Sequence, residues 1–460
     1  MPRHHRATPA SLGARDLAPI VRGLRRANAI VSRAFPGEPE DRQPVHTVYG
    51  GAHLFHADSA QKLGALGLAA LNEYAADART LHEALAFAAP GVDPIVFAGT
   101  VRARIVEKLQ REPVEDFRID FEDGYGNRPD AEEDGHAQTA AGQVAAGAAA
   151  GTLPPFIGIR IKPMSNELHA RSLRTLDLFV TALARGSRAG LPGHFVVTIP
   201  KIMLNAQVTA VARACTALER RLTLPAGTIR LELMIETPQS ILAPDGSSAL
   251  RALVAAGEGR VSGAHFGTYD YTALCGITAA WQHMRHDACD FAKHMMQVAL
   301  AQSGVKLSDG ATNIMPVAPH RDGGGNGLTA SERAENRGAV HRAWKIHFDD
   351  ATHSLVNGFY QGWDLHPAQL PTRYAAVYAF FLAARPAATA RLRNFVDKAA
   401  QATLVGDVFD DAATGQGLLN FFARGLSSGA LTLDEALETG LTPDELHGRS
   451  FLAIVRNRTT

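Results

Sequence analysis

Ile229-Arg-Leu-Glu-Leu-Met-Ile-Glu236-Thr-Pro238 is the stretch that decides the fold. A short, mostly apolar run reads as a buried strand, and this one stops at a carboxylate followed by a helix-opening Thr-Pro. Val261-Ser-Gly-Ala-His-Phe266 repeats the arrangement and leads into Gly267-Thr-Tyr-Asp270. Upstream, Phe117-Arg-Ile-Asp120-Phe-Glu122-Asp123 sets three more acids at one strand end. Carboxylates are costly to take out of water, so several converging where strands stop point to a bound cation.

The strand signature recurs at 45–49, 156–162, 195–201 and 358–364, with a weaker candidate at 312–317. Helical stretches at 59–76, 79–87, 130–150, 171–185 and 206–221 lie between. About eight strands alternating with helices predict an α/β fold of the (β/α)8 TIM-barrel kind. The expected organisation is an amino-terminal tail and helix over 1–44 and a barrel over 45–371. Insertions are expected near 51–115 and 277–344, and a helical region over 372–460. In that last region 432–435 and 442–445 read as capping boxes.

Composition narrows the partners. The 460 residues are 46% hydrophobic and 20% charged, with 46 basic and 46 acidic side chains. A net charge of zero gives no pull toward a polyanion, so nucleic acid is not an expected partner. Three cysteines, Cys215, Cys275 and Cys289, are too few and too scattered for a disulfide framework or a thiolate zinc site. No stretch of ~20 apolar residues predicts a membrane span, and the basic amino end lacks a signal-type apolar segment. A cytoplasmic location is expected.

In such a barrel the polar groups that matter sit at the carboxyl ends of strands. Asp120, Glu122, Arg160, Lys162, Lys201, Glu236 and Asp270 all fall there. Glu236 and Asp270, hard oxygen donors on neighbouring strands, are the candidate ligands for Mg2+ or Mn2+; the plainer reading makes them capping or ion-paired acids. Arg160 offers a rigid fork for a carboxylate or enolate oxygen. Lys162 reads either as a second substrate-facing cation or as a neutralising partner. Lys201 reads as an anion binder, a Schiff-base nucleophile or a surface charge. His283 and His286, three apart beside Trp281 and Met284, read as a packed helix face before a metal pair. Gly323 to Gly327 reads as a mobile loop able to cover the site. No Gly-x-Ser-x-Gly elbow occurs, which weighs against a serine hydrolase.

Read together, the motifs resemble the citrate lyase beta-subunit and HpcH/HpaI aldolase superfamily of phosphoenolpyruvate/pyruvate-type barrels. Val45-His-Thr-Val-Tyr-Gly50 resembles its opening strand, and Asp120-Phe-Glu-Asp123 its Asp-Leu-Glu-Asp element. Ile159-Arg160-Ile161 resembles its Val-Arg-Ile strand, and Ile199-Pro-Lys201 its Pro-Lys element. Met234-Ile-Glu236-Thr237 and Phe266-Gly267-Thr-Tyr-Asp270 resemble the segments that supply its metal ligands. Asp364-Leu-His366-Pro367-Ala-Gln369 resembles its Ile-His-Pro-x-Gln element. The chain departs from the pattern in Gly124-Tyr125-Gly126, and in Lys162 where asparagine is common.

The resemblance implies a Mg2+- or Mn2+-dependent carbon–carbon lyase or aldolase acting on a 2-oxo acid, hydroxy acid or coenzyme A thioester through an enolate. It implies Glu236 and Asp270 as metal ligands. Arg160 with Asp120, Glu122 and Asp123 would be catalytic, the acids reaching metal-bound waters. Arg160, Lys162, Lys201, Thr237, Gly267 and His366 would contact substrate. A homo-oligomer is expected. Phosphoryl transfer or thioester hydrolysis on a pyruvate-like acid, and a non-catalytic ligand-binding barrel, are the alternatives.

Overall fold

Eight parallel strands close on themselves in sequence order, β1 pairing with both β2 and β8. The computed structural model describes residues 11–37, 41–187, 190–322, 327–397, 403–405, 408–410, 412–448 and 450–459. The chain runs α1 (Ala14–Ala34), β1 (His46–Gly51), α2 (Ser59–Tyr74), α3 (Ala78–Leu85), α4 (Pro94–Arg111), β2 (Asp116–Asp120), α5 (Asp130–Ala150) and β3 (Phe156–Arg160). It continues through α6 (His169–Gly186), β4 (Phe195–Ile199), α7 (Asn205–Leu222), β5 (Arg230–Ile235), α8 (Pro238–Ile241), α9 (Leu250–Ala256) and β6 (Val261–Phe266). Then come α10 (Thr268–Leu274), α11 (Asp287–Leu300), β7 (Lys306–Ala311), α12 (Ala330–Val356), β8 (Gln361–Asp364) and α13 (Leu370–Asp397).

Strands β2, β3 and β4 are buried along their whole length, as expected for strands covered by helices on one side and by the barrel interior on the other. Their register matters for function. Gly51 pairs with Asp120, Asp120 with Arg160, and Arg160 with Thr198, so the acidic and basic strand ends meet at one level.

The seventh strand is a correction. It lies at Lys306–Ala311 and not at 312–317. Pro316 lacks the N–H that a central strand must donate. The true strand hides its apolar signal behind Ser308 and Asp309, both buried. Asp309 is tolerated because the buried Lys293 ammonium lies 3.1 Å away and the Ser354 hydroxyl donates to it at 2.6 Å. The stretch expected as an insertion at 277–344 therefore contains α11, β7 and half of α12, all parts of the barrel. Residues 51–115 do hold extra structure, three helices before β2. Of these, α4 was not read from the sequence, although Asp93 caps its first turn ahead of Pro94.

The expected boundary at 371 falls inside the first turn of α13, whose opening turns are buried. Beyond it, the helical reading is interrupted by an antiparallel pair, β9 (Thr403–Val405) and β10 (Val408–Asp410). Helices α14 (Ala412–Ser427), α15 (Leu433–Leu437), α16 (Pro443–His447) and α17 (Phe451–Thr459) complete the chain. Thr432 and Thr442 cap α15 and α16 as the sequence suggests. Asp364 at the end of β8 draws together His347 (2.9 Å), Arg373 (2.8 Å) and His46 (3.0 Å), fixing α12 and α13 to the barrel.

Candidate active site

Arg160 is the centre of the barrel mouth. Its Nε and Nη2 donate to the two oxygens of Asp120 at 2.7 and 2.5 Å, and Nη1 lies 3.0 Å from Glu122 Oε2. Behind it stand two aromatic rings, Tyr49 at 4.8 Å and Trp363 at 5.4 Å from the guanidinium carbon. Such rings hold a planar cation in place without consuming its donors. Asp120 also accepts the backbone N–H groups of Glu122 (3.0 Å) and Gly124 (2.7 Å). A Cβ at residue 124 would sit 2.6 Å from Asp120 Oδ2, so the glycine that departs from the family pattern is what allows this closure.

Lys201 follows β4 with a positive φ of 49°, an uncommon conformation for a side-chain-bearing residue. The turn lets one residue act twice. Its backbone N–H donates to Glu236 Oε1 at 2.6 Å, and its ammonium pairs with Glu122 and with Asp123 at 3.1 Å. The ammonium also lies 3.8 Å from Asp270 Oδ1. Burial pulls the Lys201 pKa down, but Glu122 and Asp123 outweigh it and the group is held well above its usual range. Glu122 is raised by its own burial, against the pull of Arg160 and Lys201.

Glu236 ends β5 and is 2% exposed. Asp270, in the first turn of α10, has a side chain 39% exposed. Burial, reinforced by the charge of Asp270, pushes the Glu236 carboxyl up to about 7. Gly267 leaves the room that Glu236 occupies, since a Cβ there would lie 2.5 Å from Oε2. Among the described residues, no group of three or more His, Cys, Asp or Glu side chains is arranged to hold a metal. A pair of acids still fits a small hard cation that keeps several waters and open positions. A buried carboxyl raised by the charge of a neighbouring acid is the condition that a divalent ion relieves.

Other expected contacts lie elsewhere. The Lys162 ammonium turns to the backbone, 2.8 Å from the Phe121 carbonyl and 3.4 Å from Glu133, so it ties the loop after β2 to α5. Thr237 donates to the Ile202 carbonyl at 2.5 Å and caps α8. The Gly267 N–H is spent on Ile235. His366 accepts the Ala368 N–H and lines an apolar pocket of about 280 Å3 between β1 and α2, with Leu54, Leu63 and Phe117. His283 precedes α11, and His286 is its N-cap rather than part of a packed helix face. Of the glycine-rich loop, 323–326 lie outside the described residues.

Sequence reasoning passed over Tyr49 and Trp363, and also a polar shaft beneath them. There Arg118 pairs with Asp116 and with Glu232 at 3.3 Å, and Thr198 donates to Glu232 at 2.8 Å. Charged residues at alternate positions inside otherwise apolar strands were the available signal.

The fold is a (β/α)8 TIM barrel with charged side chains gathered at the carboxyl ends of its strands. A citrate lyase from Burkholderia xenovorans LB400 aligns with a TM-score of 0.53 at 19% identity, covering 75% of this chain and 93% of its own. CitE from Mycobacterium tuberculosis, solved with magnesium, acetoacetate and coenzyme A, aligns at 0.45 and 14% identity, covering 85% and 100%. The malate synthase of Haloferax volcanii, solved with magnesium and glyoxylate, aligns at 0.45 and 13%, covering 91% and 97%. The chain itself belongs to the family described as Domain of unknown function (DUF6986), whose model matches residues 24–454. No curated protein sequence matches it. Among the described residues no helix is long and apolar enough to cross a membrane.

Proposed function

We propose that this barrel is a divalent-metal-dependent carbon–carbon lyase or aldolase acting on a 2-oxo acid, a hydroxy acid or an acyl thioester. The observation that carries the reading is the nearness of Glu236 and Asp270 to one residue: the Lys201 N–H donates to Glu236 at 2.6 Å, its ammonium lies 3.8 Å from Asp270, and the charge of Asp270 adds to burial in raising the Glu236 carboxyl. A Mg2+ or Mn2+ ion held by these two acids would supply Lewis acidity to the substrate's carboxylate and adjacent oxygen. The name of the B. xenovorans barrel agrees with this class of reaction.

The chain's own groups divide the remaining work. Arg160, fixed by Asp120, Glu122 and its two rings, places a positive charge beside an oxygen that gains charge as the carbon–carbon bond breaks. The hydroxyl on the other fragment gives its proton to Glu122 and becomes a carbonyl, the electron pair of the broken bond becomes the enolate, and a charge fixed in advance stabilises it where it forms. Lys201 adds a second positive charge at the rim and orients Glu122. Glu122, raised by burial, is the side chain suited to hold or release the proton that the enolate carbon takes up. A Schiff-base role for Lys201 is disfavoured, because its acid partners keep the amine protonated.

The test is a screen of 2-oxo acids, hydroxy acids and acyl thioesters with added Mg2+ or Mn2+, following release of pyruvate or glyoxylate. Turnover that chelator abolishes and either ion restores supports the proposal. Binding of an oxo acid with no turnover across the screen would favour the non-catalytic barrel.

A further inference from the structure

Between the end of β1, the first turns of α2 and the turn after β8 lies a pocket of about 280 Å3. Val48, Leu54, Phe55, Leu63, Phe117 and Leu365 make most of its wall apolar. Lys62 is its one lysine, and no arginine or acid lines it among the described residues. That ammonium already lies 3.0 Å from Asp58. The Ser59 hydroxyl accepts the His56 N–H at 2.9 Å. His366 Nδ1 accepts the Ala368 N–H, and burial lowers its pKa, so the imidazole stays neutral.

The pocket shares its walls with the mouth. They are formed by loops at the carboxyl ends of β1 and β8, and Leu54 (66%) and Leu365 (39%) stand exposed at the lip. Gly51 lines the pocket and pairs with Asp120, and a Cβ on it would meet the Gly124 carbonyl at 2.5 Å. Tyr49, also in the pocket wall, sets its ring 4.8 Å from the Arg160 guanidinium carbon. Gly51, Asp120 and Arg160 lie at one level on adjacent strands, so Gly51 is two strand spacings, ~10 Å, from Arg160. A small molecule with its acid head against Arg160 can thus lay its far end in the pocket.

The lining decides what that far end is. A coenzyme A carrier brings phosphates, which call for free cations. The pocket has one, and Asp58 holds it. A second carboxylate would be no better served. An alkyl or aryl tail needs no polar partner and gains about fourfold in affinity for each methylene buried, ~0.8 kcal/mol. The volume is at the small end of the ~300–1,000 Å3 of ligand sites, the size of a tail and not of a whole cofactor.

We infer that this pocket holds the apolar tail of the substrate, which makes that substrate a free 2-oxo or hydroxy acid with an alkyl or aryl chain and not a coenzyme A thioester. The inference rests on the reading of the mouth as an oxo-acid site. Calorimetry on the full-length protein with Mn2+ tests it, titrating pyruvate, 2-oxohexanoate and 2-oxooctanoate. Affinity should rise along the series, by ~60-fold once three methylenes are buried. In Leu54→Glu/Leu365→Glu that gain should vanish, while melting stays that of a folded barrel because both side chains are exposed. A gain that persists without Mn2+ would support the pocket and remove the metal-held head. Pyruvate binding with no gain along the series would overturn the pocket and leave the metal site standing. It would also be overturned by a gain that survives in the double variant, by displacement of 2-oxooctanoate with coenzyme A, or by no binding of any of the three acids.

Discussion

The backbone N–H of Lys201 donates to Glu236 Oε1 at 2.6 Å, while the same residue's ammonium lies 3.8 Å from Asp270 Oδ1. One residue in a left-handed turn thus touches both candidate metal ligands and stands where their charges converge. The lysine moderates an arrangement that is otherwise strongly anionic.

This makes Glu236 a pH-dependent element. Its folded-state pKa of about 7 lies above its ordinary 4.5. Between those values the folded, metal-free protein holds a proton that the unfolded chain has released. Stability therefore falls as pH rises through that window, by up to ~3 kcal/mol at ~1.4 kcal/mol per pH unit. Glu236→Gln should raise the melting temperature of metal-free protein at pH 8 and change it little at pH 4.5. Calorimetric melting across pH checks this. Equal melting at both pH values would remove the strain assigned to the pair.

Metal affinity should follow the same group with the opposite sense. A proton on Glu236 competes with the cation, so the Kd for Mn2+ should weaken up to tenfold per pH unit below about 7 and level off above it. Titration of Mn2+ at a series of pH values reads this directly, and a flat profile from pH 5.5 to 8 would exclude Glu236 as a ligand.

Gly267→Ala is the sharpest steric test. The added Cβ would lie 2.5 Å from Glu236 Oε2 and 2.6 Å from its Cβ, so the carboxylate must move. Overpacking of this kind costs ~1–3 kcal/mol. The variant should fold, with a lower melting temperature, and bind Mn2+ at least tenfold more weakly. Wild-type affinity in a folded Gly267→Ala protein would show that this carboxylate does not grip the ion.

Arg160→Ala removes both a charge stabiliser and the partner of buried Asp120. Activity on any substrate found should fall by about 10^2–10^3, the scale of one lost oxyanion donor. Stability should fall by ~3–5 kcal/mol, as for a broken buried pair. Arg160→Lys keeps the charge but not the fork, so it should recover stability more than rate. A lysine variant with the full wild-type rate would confine Arg160 to neutralising Asp120.

Much of this architecture could be read from the sequence, for physical reasons. Strands buried on both sides leave apolar runs, and their acidic or basic ends stand out against them, as at Asp120, Arg160 and Glu236. The seventh strand could not be read that way, because Asp309 is buried against Lys293, sixteen residues away in sequence. Lys162 shows the limit for site residues. Its strand position suggests the mouth, but only the fold shows Glu133 and the Phe121 carbonyl drawing it aside. Tyr49 and Trp363 were missed for a related reason. Aromatic residues in strands look like core until the cation they flank is seen.

Glu236 and Asp270 together would hold one divalent ion. Isothermal titration of Mn2+ into wild-type protein, with oxalate present and at pH 8, tests it most directly, beside Asp270→Asn as the control. One ion per chain should bind to the wild type, and the asparagine variant should lose at least tenfold in affinity. No heat of binding in the wild type, or equal affinity in the two proteins, would contradict the account.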